Sequence, residues 1–428
     1  MRVQLLQPPA KGLKDQRAYP PLGLMYLASN VNNFGFDGKY DVSIEIVTNE
    51  DDYSLVCGDA DVYGVGIHAM SSYSSAVKLI KYIRKINSSS IIIVGGAFVT
   101  SYYEVMQGLN IADVYVLGEG EKVFAEILNC LYFGGNLYTF VHRGKFIENL
   151  DDIYYPARKL LPLEVVRHEG VVHHSDAPST TILATRGCPF VCNFCYKGVW
   201  GRKVRYRSVD NVINEMRVID KEYGVKWFRF PDDSLFINKG WMDEFAEKMK
   251  NQNWKWTALA RAEDMCDVNM LKNLKDVGCK EIFIGVESGS QKMLDLMGKQ
   301  TLIKSNTLAI NNLRESGIGS CVYILFGYPG ETEETVWKTI NWLKDVRPDK
   351  CRVHVFMPFP GLDIWDNSEK YGVKIDKSNF DYWDFLDCET VPYESVNLQR
   401  GKFIELKNLL NNAIGEMGYL GDGWTKSV

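Results

Sequence analysis

Three of the chain's ten cysteines stand in the run Cys188-Pro-Phe-Val-Cys192-Asn-Phe-Cys195, a C-x3-C-x2-C spacing. Random placement would give such a triplet on the order of 0.005 times per chain, so the spacing points to a shared ligand. The other seven (Cys57, Cys130, Cys266, Cys279, Cys321, Cys351 and Cys388) are isolated, several in apolar patterns where a small thiol packs well. A structural zinc takes four protein ligands, and no further Cys or His lies near the triplet in sequence. Three thiolates on one loop suit a cubane [4Fe-4S] cluster with one iron left open for a substrate or cofactor. Cys188, Cys192 and Cys195 are therefore the expected metal ligands.

Such a loop needs a scaffold. From residue 180 onward, apolar strand patterns at 181–185, 226–230, 254–259, 281–286, 320–326 and 352–356 alternate with helical patterns near 208–223, 240–251, 268–278, 302–316 and 332–345. Six β/α units predict an open, partial (β/α)6 barrel over 179–360, with its site at the carboxyl ends of the strands. The cysteine loop follows the first of those strands.

Residues 1–135 show the same rhythm, with strands at 3–6, 42–47, 62–67, 91–94 and 114–117 and helices at 22–30 and 74–86. They predict a Rossmann-like parallel sheet. Gly95-Gly96 and Gly118-Glu119-Gly120 fall at strand ends, where open sheets bind nucleotide-like or corrinoid ligands. Residues 136–178 read as a linker, whose His173 and His174 have no neighbours supporting a metal role. The region 361–428 is aromatic-rich (Phe380, Tyr382, Trp383, Phe385) and ends in a helix at 400–416. The fold class is α/β throughout.

Composition narrows the functions. With 49 basic and 54 acidic residues the net charge is −5, so no basic field recruits nucleic acid. The longest apolar run, 91–99, is about half of the ~20 residues that span a bilayer, and the first nine residues are too short an apolar core for a signal peptide. A cytoplasmic chain with no membrane or nucleic-acid partner is expected.

The motifs resemble the radical S-adenosylmethionine (SAM) superfamily. The cluster run has that family's form, C-x3-C-x-Φ-C, with Phe194 as the aromatic. In order follow the basic loop from Trp200 to Ser208, Phe228-Arg-Phe-Pro-Asp232-Asp233 at the second strand end, and Ile284-Gly-Val-Glu287-Ser288-Gly-Ser-Gln291 at the fourth. Ile324-Leu-Phe-Gly327-Tyr-Pro-Gly330-Glu331-Thr332 follows the fifth, and Val353-His-Val-Phe356 leads into Phe359-Pro-Gly361. The resemblance implies SAM contacts from Phe194, Tyr196, Asp232, Asp233, Arg261, Glu287, Ser288, Gly327, Val355 and Phe356. The basic loop (Lys197, Arg202, Lys203, Arg205, Arg207, with Trp200 and Tyr206) reads either as a solvated surface or as a cover for the cluster or an anionic substrate.

Residues 1–135 resemble the cobalamin-binding domain found in front of many radical SAM proteins. The resemblance implies corrinoid contacts from Pro8, Leu22, Gly23, His68, Ala69, Met70, Ser71, Gly95, Gly96, Ala97, Gly118 and Glu119. Gly96 is expected to let the corrinoid's nucleotide tail approach the backbone. The D-x-H-x-x-G loop of histidine-ligating cobalamin proteins is absent after the first strand. His68 or Met70 beneath the cobalt is one reading, and an ordinary packing histidine is the other.

Together these features resemble class B radical SAM methyltransferases. The implied reaction is reductive cleavage of SAM at the cluster and methylation of an unactivated carbon through methylcobalamin. A small molecule or a peptide or protein side chain is the implied substrate, and a flavodoxin- or ferredoxin-like protein the electron donor. Open alternatives are a non-methylating radical SAM enzyme (cyclase, ring contractase or other rearrangement) with cobalamin bound or with a degenerate cobalamin domain, a tRNA methylthiotransferase, and an electron carrier or corrinoid sensor without turnover. The methylthiotransferase reading lacks the three further N-terminal cysteines of that family and a basic C-terminal module.

Overall fold

The structure, a computed structural model, describes all residues except 14, 34–37, 138–139, 169–176, 378–392, 396–397 and 420–428. His173, His174, Cys388 and the aromatic stretch 380–385 lie outside the described residues. The rest form two units: Met1–Thr180 with Lys197–Gly201 and Lys221–Gly224, and Thr181–Tyr196 with Arg202–Asp220 and Val225–Val428.

The first unit is built on six parallel strands, β1 (Arg2–Gln7), β2 (Asp41–Ile46), β3 (Val62–Gly66), β4 (Ile91–Gly95), β5 (Val114–Leu117) and β6 (Val141–Arg143), in the order β2-β1-β3-β4-β5-β6. Helices α1 (Leu22–Asn33), α2 (Tyr73–Ile86), α3 (Ala97–Gly108) and α4 (Glu121–Tyr132) follow β1, β3, β4 and β5, and a short α5 (Leu163–Val166) comes later. Strands buried on both faces read as continuous apolar runs, which is why Ile91-Ile-Ile-Val94 and Val114-Tyr-Val-Leu117 were legible. α2 buries Ala76, Leu79, Ile80 and Ile83, a spacing that puts all four on one face. Within 136–178, β6 extends the sheet, and Leu161, Val165 and Val166 join the core formed by β1, β2 and α1.

Strand order reverses between β1 and β3, and an open α/β sheet binds its ligand outside such a switch point. One glycine beside it has a structural reason. Gly96 has φ +113°, and a Cβ there would stand 2.4 Å from the Ile67 carbonyl oxygen. The backbone packs on backbone, so β3–β4 packing by itself requires a glycine here. Gly96→Ala is expected to cost at least about 2 kcal/mol, seen as a lower urea midpoint with an unchanged slope.

The second unit carries a curled parallel sheet in the order β14-β13-β12-β11-β10-β7, from β7 (Ser179–Thr181), β10 (Trp227–Phe230), β11 (Lys255–Ala260), β12 (Cys279–Glu287), β13 (Gly319–Phe326) and β14 (Lys350–Val355). Instead of one strand over 181–185, β7 ends at Thr181, and β8 (Thr185–Arg186) pairs antiparallel with β9 (Arg205–Tyr206). The helices are α6 (Val209–Tyr223), α7 (Lys239–Met249), α8 (Val268–Asp276), α9 (Gln291–Leu296), α10 (Ile303–Ser316), α11 (Glu333–Val346), α12 (Asp363–Asp366) and α13 (Arg400–Glu416). Their starts are chemically marked. Asn238, Asp267 and Thr332 cap α7, α8 and α11 by accepting from first-turn N–H groups. The sheet's helix-facing side is aromatic: Phe230 and Trp256 pack against Phe245 of α7, which stacks on Trp241.

Candidate functional site

The cysteine loop leaves β8 through Gly187, whose φ of +94° suits glycine, and enters at Cys188, which is buried. The Cys195 N–H donates to the Cys192 carbonyl at 3.2 Å, closing a turn. Asn193 fixes the loop from outside: its N–H donates to the Met297 carbonyl at 2.8 Å and its Nδ2 to the Leu296 carbonyl at 3.0 Å, at the end of α9. Cys192 and Cys195 are half-buried, and none of the three forms a disulfide.

Among the described residues no three Cys, His, Asp or Glu side chains converge closely enough to hold a single metal ion. A cluster spreads its thiolates over separate irons, whereas a zinc ion gathers them at about 2.3 Å. Three unbridged thiols on a loop pinned at its middle are a donor set of the right chemistry for a cubane. Cys279, Cys321 and Cys351 offer nothing comparable, because burial pushes all three thiols up, Cys321 to about 12.

Other strand ends meet the loop. Arg261, after β11, is buried, with its guanidinium carbon 3.8 Å from the Phe190 ring centroid and its Nη1 3.6 Å from Cys192 Sγ. Phe194 and Tyr196 pack against an apolar cluster that includes Met293, Met297, Tyr328 and Phe356. Tyr196 also meets Phe359 edge-on at 6.3 Å.

Asp232, at the end of β10, is fully buried. Its Oδ1 accepts from the Ala184 N–H at 2.9 Å, from the Thr185 N–H and from the Thr185 hydroxyl at 2.8 Å, while Oδ2 has no partner. Burial pushes this carboxyl up to about 7 despite those three donors, and nearby Asp233 adds to the rise. An orphaned acceptor at the end of β10, held against the Ala184–Thr185 segment that leads to the cluster loop, fits the ammonium group of SAM. Asp233 is exposed.

Glu287, at the end of β12, adopts φ +63°, a strained conformation for a residue with a side chain. Its Oε1 accepts from Lys299 Nζ at 2.7 Å. A Cβ at Gly285 would lie 2.4 Å from that oxygen, so a side chain there would push the Glu287 carboxylate aside. Lys299 also stands 5.7 Å from the Phe194 ring centroid, tying Glu287 to the loop. Several expected SAM contacts have other structural partners. The Ser288 hydroxyl meets Thr339 of α11 at 3.1 Å and accepts from the Ser290 N–H at 3.1 Å. Gly327 donates its N–H to Glu331 at 2.9 Å and lies beneath Phe403. Phe356 is buried against Tyr328 and Tyr393, whereas Val355 is half-buried. Glu331 is a buried carboxyl that burial pushes up to about 7.

The basic loop divides in the same way. Arg205 and Arg207 are buried, and Arg207 pairs with Glu215 at 2.6 Å and donates to the Leu183 carbonyl at 2.7 Å. Arg202 and Lys203 stay exposed.

A set of residues not singled out from sequence shares one sheet face, by register, away from the aromatic helix-facing side. Arg229 and Arg352 lie 5.7 Å and 5.9 Å from the Phe283 ring centroid, Tyr323 stacks on Phe283, and His354 packs on Tyr323 at 5.3 Å. The readable signal was polar residues at alternate positions of otherwise apolar strands, as in Phe228-Arg-Phe230 and Val353-His-Val355.

In the first unit the β1–β3 switch carries buried Pro8 after β1 and His68 after β3, and the Lys11 N–H donates to the Ser71 carbonyl across it at 2.9 Å. His68 lies over Gly23, where a Cβ would sit 3.3 Å from the ring. The imidazole surface is open to solvent, yet surrounding protein holds its pKa below the ordinary value. Both hold for a ring that is solvent-reachable but densely surrounded, and the accessible surface is what matters for a ligand. Leu22, Ala69, Ser71, Gly95, Ala97 and Gly118 are half-buried around these strand ends, leaving a small-residue cradle of the kind a flat corrinoid needs. Two of the expected contacts are buried. Met70 is 3% exposed. Glu119 is buried, and its Oε2 accepts the Ile147 N–H at 2.6 Å, so it fastens β5 to the loop after β6.

A cysteine-loop half-barrel and a switch-point sheet define a class of cofactor enzyme, and comparison with known proteins gives that class its name. Residues 182–343 match the radical SAM superfamily, and residues 13–128 match the B12 binding domain. The chain thus carries a radical SAM domain preceded by a B12-binding domain; a [4Fe-4S] cluster, SAM and cobalamin are the cofactors of that pairing. It is 29% identical to an uncharacterized methyltransferase of Pyrococcus horikoshii, over 86% of this chain and 83% of the relative. It is 25% identical to the anaerobic magnesium-protoporphyrin IX monomethyl ester cyclase of Rubrivivax gelatinosus, over 90% and 73%. Among solved structures it is similar to the radical SAM methyltransferase TsrM from Kitasatospora setae, with a TM-score of 0.68, 15% identity, and coverage of 98% of this chain and 91% of that one. That likeness carries the fold. No helix among the described residues is long and apolar enough to cross a membrane.

Proposed function

We propose that this enzyme methylates an unactivated carbon of a small molecule or of a peptide or protein side chain. The carrying observation is the pinned three-thiol loop in a chain that also has a B12-binding sheet. The methyltransferase relative, similar over most of both chains, supports methyl transfer as the outcome. When bound, the cluster supplies one electron for cleaving SAM, and cobalamin supplies a carrier for the methyl group.

The chain's own residues hold and shape the site. Cys188, Cys192 and Cys195 ligate three irons. Asp232, with its unpartnered Oδ2, and Asp233 receive the SAM ammonium, while Phe194, Tyr196, Glu287 and Val355 line the nucleoside side. His68, Gly23, Ala69, Ser71, Gly95, Ala97 and Gly118 line the corrinoid. Arg229, Tyr323, Arg352 and His354 line the substrate-facing side of the barrel. Residues 1–135 and 179–360 divide the two cofactors between them, with 361–428 as a C-terminal addition. A flavodoxin- or ferredoxin-like donor and a cytoplasmic setting complete the reading, with neither nucleic acid nor membrane as partner.

The cyclase relative favours one second reading, a radical ring closure or rearrangement without methyl transfer. Product analysis separates the two. Anaerobic turnover with SAM, reductant and cobalamin should yield both 5′-deoxyadenosine and S-adenosylhomocysteine if a methyl group moves. Deoxyadenosine without S-adenosylhomocysteine would favour the second reading.

A further inference from the structure

We propose that Arg261 is a positioning residue of the cluster: its guanidinium donates a charge-assisted N–H···S hydrogen bond to the Cys192 thiolate and raises the reduction potential of the cluster bound there. This inference rests on the cluster assignment made above. The family resemblance points Arg261 at the SAM carboxylate, but the geometry points its Nη1 at Cys192 Sγ, 3.6 Å away.

The aim of that donor is built in. Nη2 donates to the carbonyl oxygens of Lys299 and Gln300, the latter at 3.5 Å. A guanidinium is a rigid planar fork, so fixing one amino group on two carbonyls fixes where the other points. The same plane lies 3.8 Å from the ring centroid of Phe190, which sits between Cys188 and Cys192. Arg261 thus touches the loop twice, at Phe190 and at Cys192, from a side chain that is 9% exposed. Glu263 Oε2 lies 3.3 Å from Nε and tempers the charge, but at 38% exposure that carboxylate is partly solvated, whereas the contact with sulfur is part-buried.

The redox consequence follows from charge. Reduction adds one electron, taken from a low-potential one-electron donor, to a cluster whose ligands stay in place, so the product is one unit more negative. A fixed cation donating to a ligand sulfur stabilises that product more than the oxidised state. Removing it must make reduction harder.

The test compares wild type with R261M and R261Q after anaerobic reconstitution, counting iron and sulfide before titrating the cluster optically against solution potential. The ratio of reduced to oxidised cluster at a fixed potential should fall about tenfold in R261M, equivalent to ~59 mV for a one-electron couple. R261Q should shift the same way by less, since it keeps donors but not charge. A wild-type potential in either iron-loaded variant overturns the proposal. Failure of both variants to load iron would assign Arg261 to cluster assembly and overturn it as well. A wild-type chain that binds no iron would instead remove the cluster reading beneath it.

Discussion

Replacing any one of Cys188, Cys192 or Cys195 with alanine is expected to abolish 5′-deoxyadenosine formation and to reduce bound iron after anaerobic reconstitution to background. A cubane held by three protein thiolates has no spare protein ligand. Cys279, Cys321 and Cys351 are buried thiols that resist deprotonation, so they do not rescue the site. The fold should survive. The loop is held by Asn193 on the Leu296 and Met297 carbonyls rather than by sulfur, so circular dichroism of each variant should match wild type. Cys188 is the most buried of the three, and its alanine variant should carry the largest stability cost, about 1–2 kcal/mol. Full iron loading in any single variant would contradict the ligand assignment.

Asp232→Asn is expected to flatten the pH dependence of stability. The carboxyl titrates near 3.8 when exposed in the unfolded chain and at about 7 in the fold, where burial dominates. Between those values the native state holds a proton that the unfolded chain releases. Stability therefore falls as pH rises from about 4 to about 7, and levels off above. Glu331 contributes a slope of the same sign over a similar range. Asparagine keeps an oxygen for the Ala184 and Thr185 donors but cannot ionise, so its stability relative to wild type should improve between pH 5.5 and pH 8, by roughly 1–3 kcal/mol. Asp232→Ala should be destabilised at both values, because three buried donors lose their acceptor. Urea unfolding of the three proteins at both values checks this. Equal slopes in wild type and Asp232→Asn would show that the buried carboxyl is not the source.

Much of this was readable from residue order. The cysteine spacing, the glycines of Gly-Val-Glu287 and Gly327-Tyr-Pro-Gly330, and the apolar runs of both sheets are local signals with local physical causes. Arg261, Glu119 and Ser288 stand at the expected strand ends, and each has a protein partner that residue order does not show. Strand order says where a side chain starts, whereas packing decides where it ends: Ser288 turns to Thr339, fifty-one residues away, and Glu119 to Ile147. Lys299 and Arg352 were not singled out, because a lysine after a helix and an arginine in a strand look like solvated charges until the sheet curls. At Gly96 the close Ile67 carbonyl demands a glycine whatever else approaches, a contact that residue order does not show. The first strand of the barrel was drawn too long, because Asp232 interrupts it by capturing the Ala184 and Thr185 N–H groups that a neighbouring strand would otherwise take.

Electron paramagnetic resonance of the anaerobically reconstituted, dithionite-reduced chain, recorded with and without SAM, is the most direct trial of an open iron on a three-thiolate cubane. The expected spectrum is that of a reduced [4Fe-4S] cluster whose line shape changes when SAM is added, since the cofactor joins the iron that no cysteine holds. A chain with no cluster signal, or one whose signal is indifferent to SAM, would contradict the assignment.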